Sequence, residues 1–213
     1  MKSVGLIFGI LVLVVVVVLI GGCGSYNKLN TLEQGVDKSW ADVQNVYQRR
    51  ADLIPNLVKT VEGAADFEKS TLADVVKARQ QVNNVQMSQA PTDPAALQQF
   101  EQSQQALSGA LSRLLVVVER YPDLKANANF RDLQAQLEGT ENRIAVERRK
   151  FNEAAQGYNT QVKSMPTRLY AGLFGFHPRP YFAAQPGADK APEVNFSFGA
   201  GAPGAATPAP ATP

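Results

Sequence analysis

Phe130, Leu137, Ile144, Phe151, Tyr158 and Met165 recur at every seventh residue, with Leu133 and Ala154 at intermediate steps. A seven-residue apolar repeat kept this long holds one stripe against its neighbours only in supercoiled helices packed knobs into holes. The spacing therefore predicts a helix from near Asn127 to about Met165. About 38 residues at 1.5 Å each reach roughly 57 Å, so part of it overhangs the shorter helices predicted around it.

Those partners are legible upstream. Leu29, Leu32, Val36, Trp40, Val43 and Tyr47 step by three and four and give a first apolar stripe. A second helix is predicted from Asp52, a residue type suited to an N-cap, with Pro55 in the first turn, where a missing N–H costs little. Its stripe runs through Leu57, Val61, Ala65, Leu72, Val75, Arg79 and Val82. An arginine at an inward step needs a carboxylate or carbonyl partner. The third helix opens with Asp93 and Pro94 and carries Leu97, Phe100, Gln104, Leu107, Leu111, Leu114 and Val118, the run Leu114–Val118 predicting broader burial. Tyr121-Pro122 closes it, because proline disfavours helix in the residue before it. No strand-like alternation appears in this middle part. The fold expected is all-α: a mostly antiparallel four-helix bundle. In the alternative, the first two helices merge through Pro55 into one rod.

The segment before the bundle is apolar from Val4 to Ile20, interrupted by Gly5 and Gly9, and is followed by Gly21-Gly22-Cys23. Its length is near the ~20 residues that span a bilayer. Its end resembles a bacterial lipobox, with small residues before the chain's one cysteine. Two readings stand: Cys23 as a lipidated mature N-terminus, or an uncleaved transmembrane helix. Lys2 flanks one side and Lys28 and Lys38 the other, a near tie by the positive-inside rule. The lipobox-like ending tips the bundle towards the periplasm. The organisation read is 1–22 membrane segment or lipoprotein signal, 23–182 bundle, and 183–213 an Ala/Pro/Gly-rich tail that cannot bury enough to fold. Arg168 to Phe182, rich in Leu, Tyr and Phe, is too short and broken for a second span and is expected to pack back on the bundle.

The chemistry read is mostly absence. Net charge is +2, with Lys and Arg interspersed among Asp and Glu, so no basic stripe points to nucleic acid. One cysteine excludes an internal disulfide and a Cys-based zinc cluster. Glu138, Glu141 and Glu147 invite a di-iron reading, but that site needs Glu-x-x-His pairs and the single histidine, His177, follows the bundle. No phosphate loop or nucleophile elbow is present. No catalytic residue, metal or cofactor is expected. The polar set Arg49, Arg50, Asp52, Asn56, Arg79, Glu141, Asn142, Arg143, Arg148 and Arg149 is read as a network that fixes helix register. The alternative is an anion- or peptide-binding patch near Arg49, Arg50 and Glu141.

Several of these stretches together resemble the LemA family: Tyr26-Asn27, Trp40, the run Arg49 to Val58, Tyr121 to Ala126, Leu133-Gln134, Glu138 to Ala145, Phe151-Asn152, Tyr158-Asn159, Phe176 and Tyr181-Phe182. The resemblance implies a bacterial membrane protein with one N-terminal hydrophobic segment, an antiparallel four-helix bundle and no established biochemical activity. It also implies a cytoplasmic bundle, against which the Gly21-Gly22-Cys23 ending points. A scaffold or adaptor for other membrane or envelope proteins, itself included, is the function expected.

Overall fold

The computed structural model describes the backbone of residues 2–63, 67–85 and 87–183; among residues 2–20 it describes the side chains of 9 and 11–13 only. The chain divides into two units, Met1–Phe182 and Ala183–Pro213, and the second lies outside the described residues from 184 onward. The described residues form six helices and no strand: α1 Lys2–Glu62, α2 Lys69–Asn84, α3 Pro94–Val118, α4 Pro122–Ala126, α5 Ala128–Lys163 and α6 Thr167–Phe174.

The expected boundary at Asp52 is absent. Helix α1 runs unbroken through Pro55 for 61 residues, roughly 90 Å at 1.5 Å per residue, so the first two predicted helices are merged as far as Glu62. Asp52 does not cap. It is exposed and accepts a hydrogen bond from Gln48 Nε2 at 2.8 Å, one turn back. Proline inside a helix leaves the carbonyl four residues earlier without its donor, here that of Ala51. Arg79 Nε, from α2, donates to this oxygen at 3.1 Å. The inward arginine and the interior proline thus answer each other. Leu57 and Val61 belong to α1, while Leu72, Val75 and Val82 lie on α2; Ala65 lies outside the described residues.

Other boundaries follow local chemistry. Asp93 accepts from the Ala95 N–H at 3.0 Å, with Pro94 at the first helical position of α3. Asn127 accepts from the N–H groups of Asn129 and Phe130 and opens α5. Each satisfies N–H groups that a helix start leaves without partners. All seven predicted stripe residues of α3 are buried. Val116 is 71% exposed, so the run Leu114–Val118 buries one stripe and not a broad face. On α5 the heptad is buried from Phe130 to Tyr158, whereas Met165 falls beyond the helix and is exposed.

Ring and charge contacts give the directions of packing. Trp40 meets Phe151 and Arg50 meets Glu141, so α1 and α5 run antiparallel. Trp40 also meets Phe100 and Arg50 meets Ser108, so α1 and α3 run parallel. Buried side chains form two clusters. One joins Ile54–Val61 of α1 to α2, the C-terminal half of α3, Leu124, Phe130 and Leu137. The other surrounds Trp40, with Leu29–Tyr47, Leu97, Phe100, Ile144–Val162, Ala171, Phe176 and Phe182.

After α6, Gly175 adopts φ 77°, a left-handed conformation that suits glycine, and the Phe176 N–H returns to the Ala171 carbonyl at 2.9 Å. The chain then lies back on the bundle as expected, burying Phe176 and Phe182. Among the described residues no helix is long and apolar enough to cross a membrane. The expected span at residues 1–22 lies largely outside the described side chains.

Candidate functional site

Arg50 is the most deeply placed charge, 1% exposed on α1. Its stripe position aims it between α3 and α5. Nη1 donates to Ser108 Oγ at 2.8 Å and pairs with Glu141 Oε1; Nη2 donates to Gln104 Oε1 and, at 3.4 Å, to the Gln104 carbonyl. The guanidinium also lies 5.2 Å from the centroid of the Tyr47 ring, a favourable arrangement for a desolvated cation. One residue thereby ties three helices in a single register. Its Nε is buried without a partner. Tyr47 and Gln104, which hold the guanidinium, also line a cavity of about 210 Å³ with Gln44, Asn45, Gln48, Ala51, Val82 and Phe100. Burial raises the Tyr47 phenol above its ordinary pKa, opposed by the positive charges of Arg148 and Arg50.

The predicted polar set divides. Arg50, Glu141 and Arg79 join the interhelical contacts just described. Arg49, Asp52, Asn56 and Arg143 are exposed and do not converge with them. Arg148 pairs with Glu101 of α3 at 2.6 Å and stacks 4.6 Å over Phe182. Cys23 is exposed on α1. Glu138, Glu141 and Glu147 do not form a site: among the described residues no group of three or more His, Cys, Asp or Glu side chains is placed to hold a metal ion.

A second polar centre was not anticipated. Asn159 Nδ2 donates to the Arg179 carbonyl at 2.8 Å and its Oδ1 accepts the Arg179 N–H at 2.7 Å. Asn152 does the same for Phe182, at 3.1 and 2.9 Å. Two asparagines seven residues apart thus satisfy the backbone of the returning segment, which has no secondary structure to do so. The Arg179 side chain continues inward, donating to the Ala90 carbonyl at 3.0 Å and pairing with Glu33 at 2.6 Å. Burial pushes the nearby Tyr158 phenol up to about 12, with Glu33 adding to the shift and Arg179 opposing it. The signal was visible as the repeated aromatic–Asn pair Phe151-Asn152 and Tyr158-Asn159. Glu33 and Arg179 had none, being 146 residues apart.

These features define a helical bundle in which the buried side chains of Arg50, Asn159 and Arg179 join its own parts. The chain belongs to the LemA family, whose model matches residues 39–196. It is 28% identical over 183 residues to Magnetosome protein MamQ 2 of Paramagnetospirillum magneticum, covering 77% of this chain and 66% of that one. It is 26% identical to Magnetosome protein MamQ of Magnetospirillum gryphiswaldense over the same shares. To Protein LemA of Metamycoplasma hominis it is 24% identical over 148 residues, 70% of this chain and 64% of that one. The chain thus spans just under two thirds of the length of these relatives.

Proposed function

We propose that this chain is a non-catalytic scaffold of the bacterial envelope, an antiparallel four-helix bundle held at the membrane by its own first helix. The carrying observation is the continuity of α1 from Lys2 to Glu62. The run Val4–Ile20 is apolar in sequence and close to spanning length. Stalk and bundle therefore share one helix, and the bundle is presented in a fixed attitude. The helix continues through Gly21-Gly22-Cys23. An uncleaved span and a lipid on Cys23 would both anchor the bundle at this point of α1. The relatives named magnetosome proteins carry no reaction in their names, which fits a structural part.

Partners in this reading are other membrane or envelope proteins, or a second copy, engaged through exposed helical faces. Photo-crosslinkers placed along exposed positions of α2 and α3 in intact cells test it. Discrete, repeatable adducts from one face are expected; adducts from no face, in a fusion that stays in carbonate-washed membranes, would contradict it. A phosphatase that works only outside the cytoplasm, fused after Pro186, reads the side. Activity is expected for a periplasmic bundle, and inactivity of a well-expressed fusion contradicts that placement.

A ligand-binding reading draws on one observation, a 210 Å³ cavity lined by Tyr47 and Gln104, two of the groups that hold Arg50. That volume is below the ~300 Å³ at which small-molecule sites begin. Substituting Arg50 and Glu141 separately discriminates. Losses of thermal stability in both, larger for the buried Arg50 than for the half-exposed Glu141, mean a structural pair; a stable variant that has lost a cellular phenotype means a site.

A further inference from the structure

We propose that α6 and its flanks form a foot that rests on the lipid surface where α1 leaves the bilayer. The inference builds on the membrane-anchored reading and adds a second, interfacial contact. Within ten residues, Met165, Leu169, Leu173 and Phe174 are 68, 67, 78 and 44% exposed. Leu169 and Leu173 stand one turn apart on one face of α6, with Met165 in the turn just before it, while Thr167 and Ala171 form its buried side. Exposed apolar residues scattered singly need no explanation, but a contiguous set does.

The position of this face names its occupant. Tyr170 of α6 lies so close over Gly21 and Gly22 that a Cβ built on either glycine would stand 3.3 Å from its hydroxyl or ring. Tyr26, one turn further along α1, makes edge contacts with Phe174 at 5.2 Å and Phe176 at 5.6 Å. Helix α6 is therefore docked at the turn of α1 that follows Ile20, the last residue of the apolar run. A span ending there puts the headgroup layer at the level of α6. Tyr26 and Tyr170 stand at that level, where tyrosine is favoured for its apolar ring and polar tip. A short amphipathic helix with its apolar face to the acyl boundary and its polar edge, here Arg168, to water is the arrangement of interfacial helices.

The test uses the full chain with Leu173→Trp, reconstituted into vesicles whose acyl chains carry bromine, with Val116→Trp at the far end of the bundle as the control. Both positions are exposed, so neither substitution disturbs the core, and the emission of Trp40 is subtracted using the unsubstituted chain. Loss of most of the added emission at position 173, with none at 116, is expected. If the protein floats with the vesicles but Trp at 173 stays unquenched and solvent-like, the foot is wrong and the anchor stands. A blue-shifted yet unquenched Trp at 173 means that protein, such as a second copy, covers the face, which also overturns the proposal. If the chain does not float at all, the anchored reading itself falls and the foot with it.

Discussion

The two ends of the bundle are held by different means. At the far end, around Leu57, Val75, Leu111 and Leu114, the core is mainly aliphatic and comes mostly from helix faces. At the end nearer the apolar run, three rings surround Trp40, those of Phe100, Phe151 and Phe182 at 5.2, 5.5 and 6.0 Å. There an irregular segment supplies part of the core. Helices satisfy most of their own backbone groups, so beyond the Arg79–Ala51 bond the far end is held mainly by apolar packing. The near end buries chain without secondary structure, and Asn152, Asn159 and Arg179 serve its polar groups. Arg50 stands between the two.

The largest effect is expected from Trp40→Ala. Removing a fully buried indole costs about 3–5 kcal/mol, and the loss of its stacking on Phe182 should also free residues 176–182 to protease. Leu114→Ala at the far end costs about 2–5 kcal/mol and should leave that segment protected. Denaturant titration read by circular dichroism, paired with limited proteolysis, separates the two; equal nicking in both variants would break the distinction between the ends.

Arg50→Ala leaves Gln104 without its buried donor and Glu141 without its cation, and a loss of about 3 kcal/mol is expected. Glu141→Gln should cost less, on the order of 1 kcal/mol, because that carboxylate is 45% exposed. Thermal melts of the two variants check the order.

Asn159→Ala strips partners from both backbone groups of Arg179, at about 1–3 kcal/mol for an unsatisfied buried group. Hydrogen exchange should rise first at residues 176–182. Asn152→Ala, at a half-buried position, should do less.

Arg79→Ala sharpens the comparison on α1. It deprives the Ala51 carbonyl of its donor, costing about 1–2 kcal/mol. In a Pro55→Ala background position 55 regains an N–H for that carbonyl, so the same substitution should cost markedly less. Additive losses in the double-mutant cycle would refute the pairing.

The smallest effect is at Tyr158. Its folded-state pKa is raised from 10.0 to about 12, so the unfolded chain ionises first. The stability this confers is present below pH 10 and lost as pH rises to about 12. Tyr158→Phe should cost little at pH 7, because the hydroxyl makes no well-formed hydrogen bond, and should flatten the decline between pH 10 and 12. An unchanged slope contradicts the assignment.

How much of this was legible follows the same division. The stripes of α3 and α5, the opening of α3 at Asp93, the start of α5 near Asn127, and the need of Arg79 for a carboxylate or carbonyl were readable because they depend on neighbours in sequence. Pro55 misled because a local rule places proline at a helix start, whereas a side chain from α2 makes it tolerable mid-helix. Arg49, Asp52, Asn56 and Arg143 look like Arg50 in sequence, and only the angular position of each on its helix separates a buried tie from a solvated charge. The clasp on the returning segment was legible only on its Asn152 and Asn159 side, in the repeated aromatic–Asn pair; Arg179 and its partner Glu33 were not, because they meet across the whole fold.

The account rests most directly on α1 being one stiff helix from the apolar run into the bundle. Spin labels at positions 9 and 38, in a Cys23→Ser chain in lipid nanodiscs, measure this. Twenty-nine steps of 1.5 Å predict a narrow distance distribution near about 44 Å. A broad, shorter distribution would show a hinge at Gly21–Gly24, and absence of the first label from the mature protein would show cleavage; either would contradict the rigid stalk.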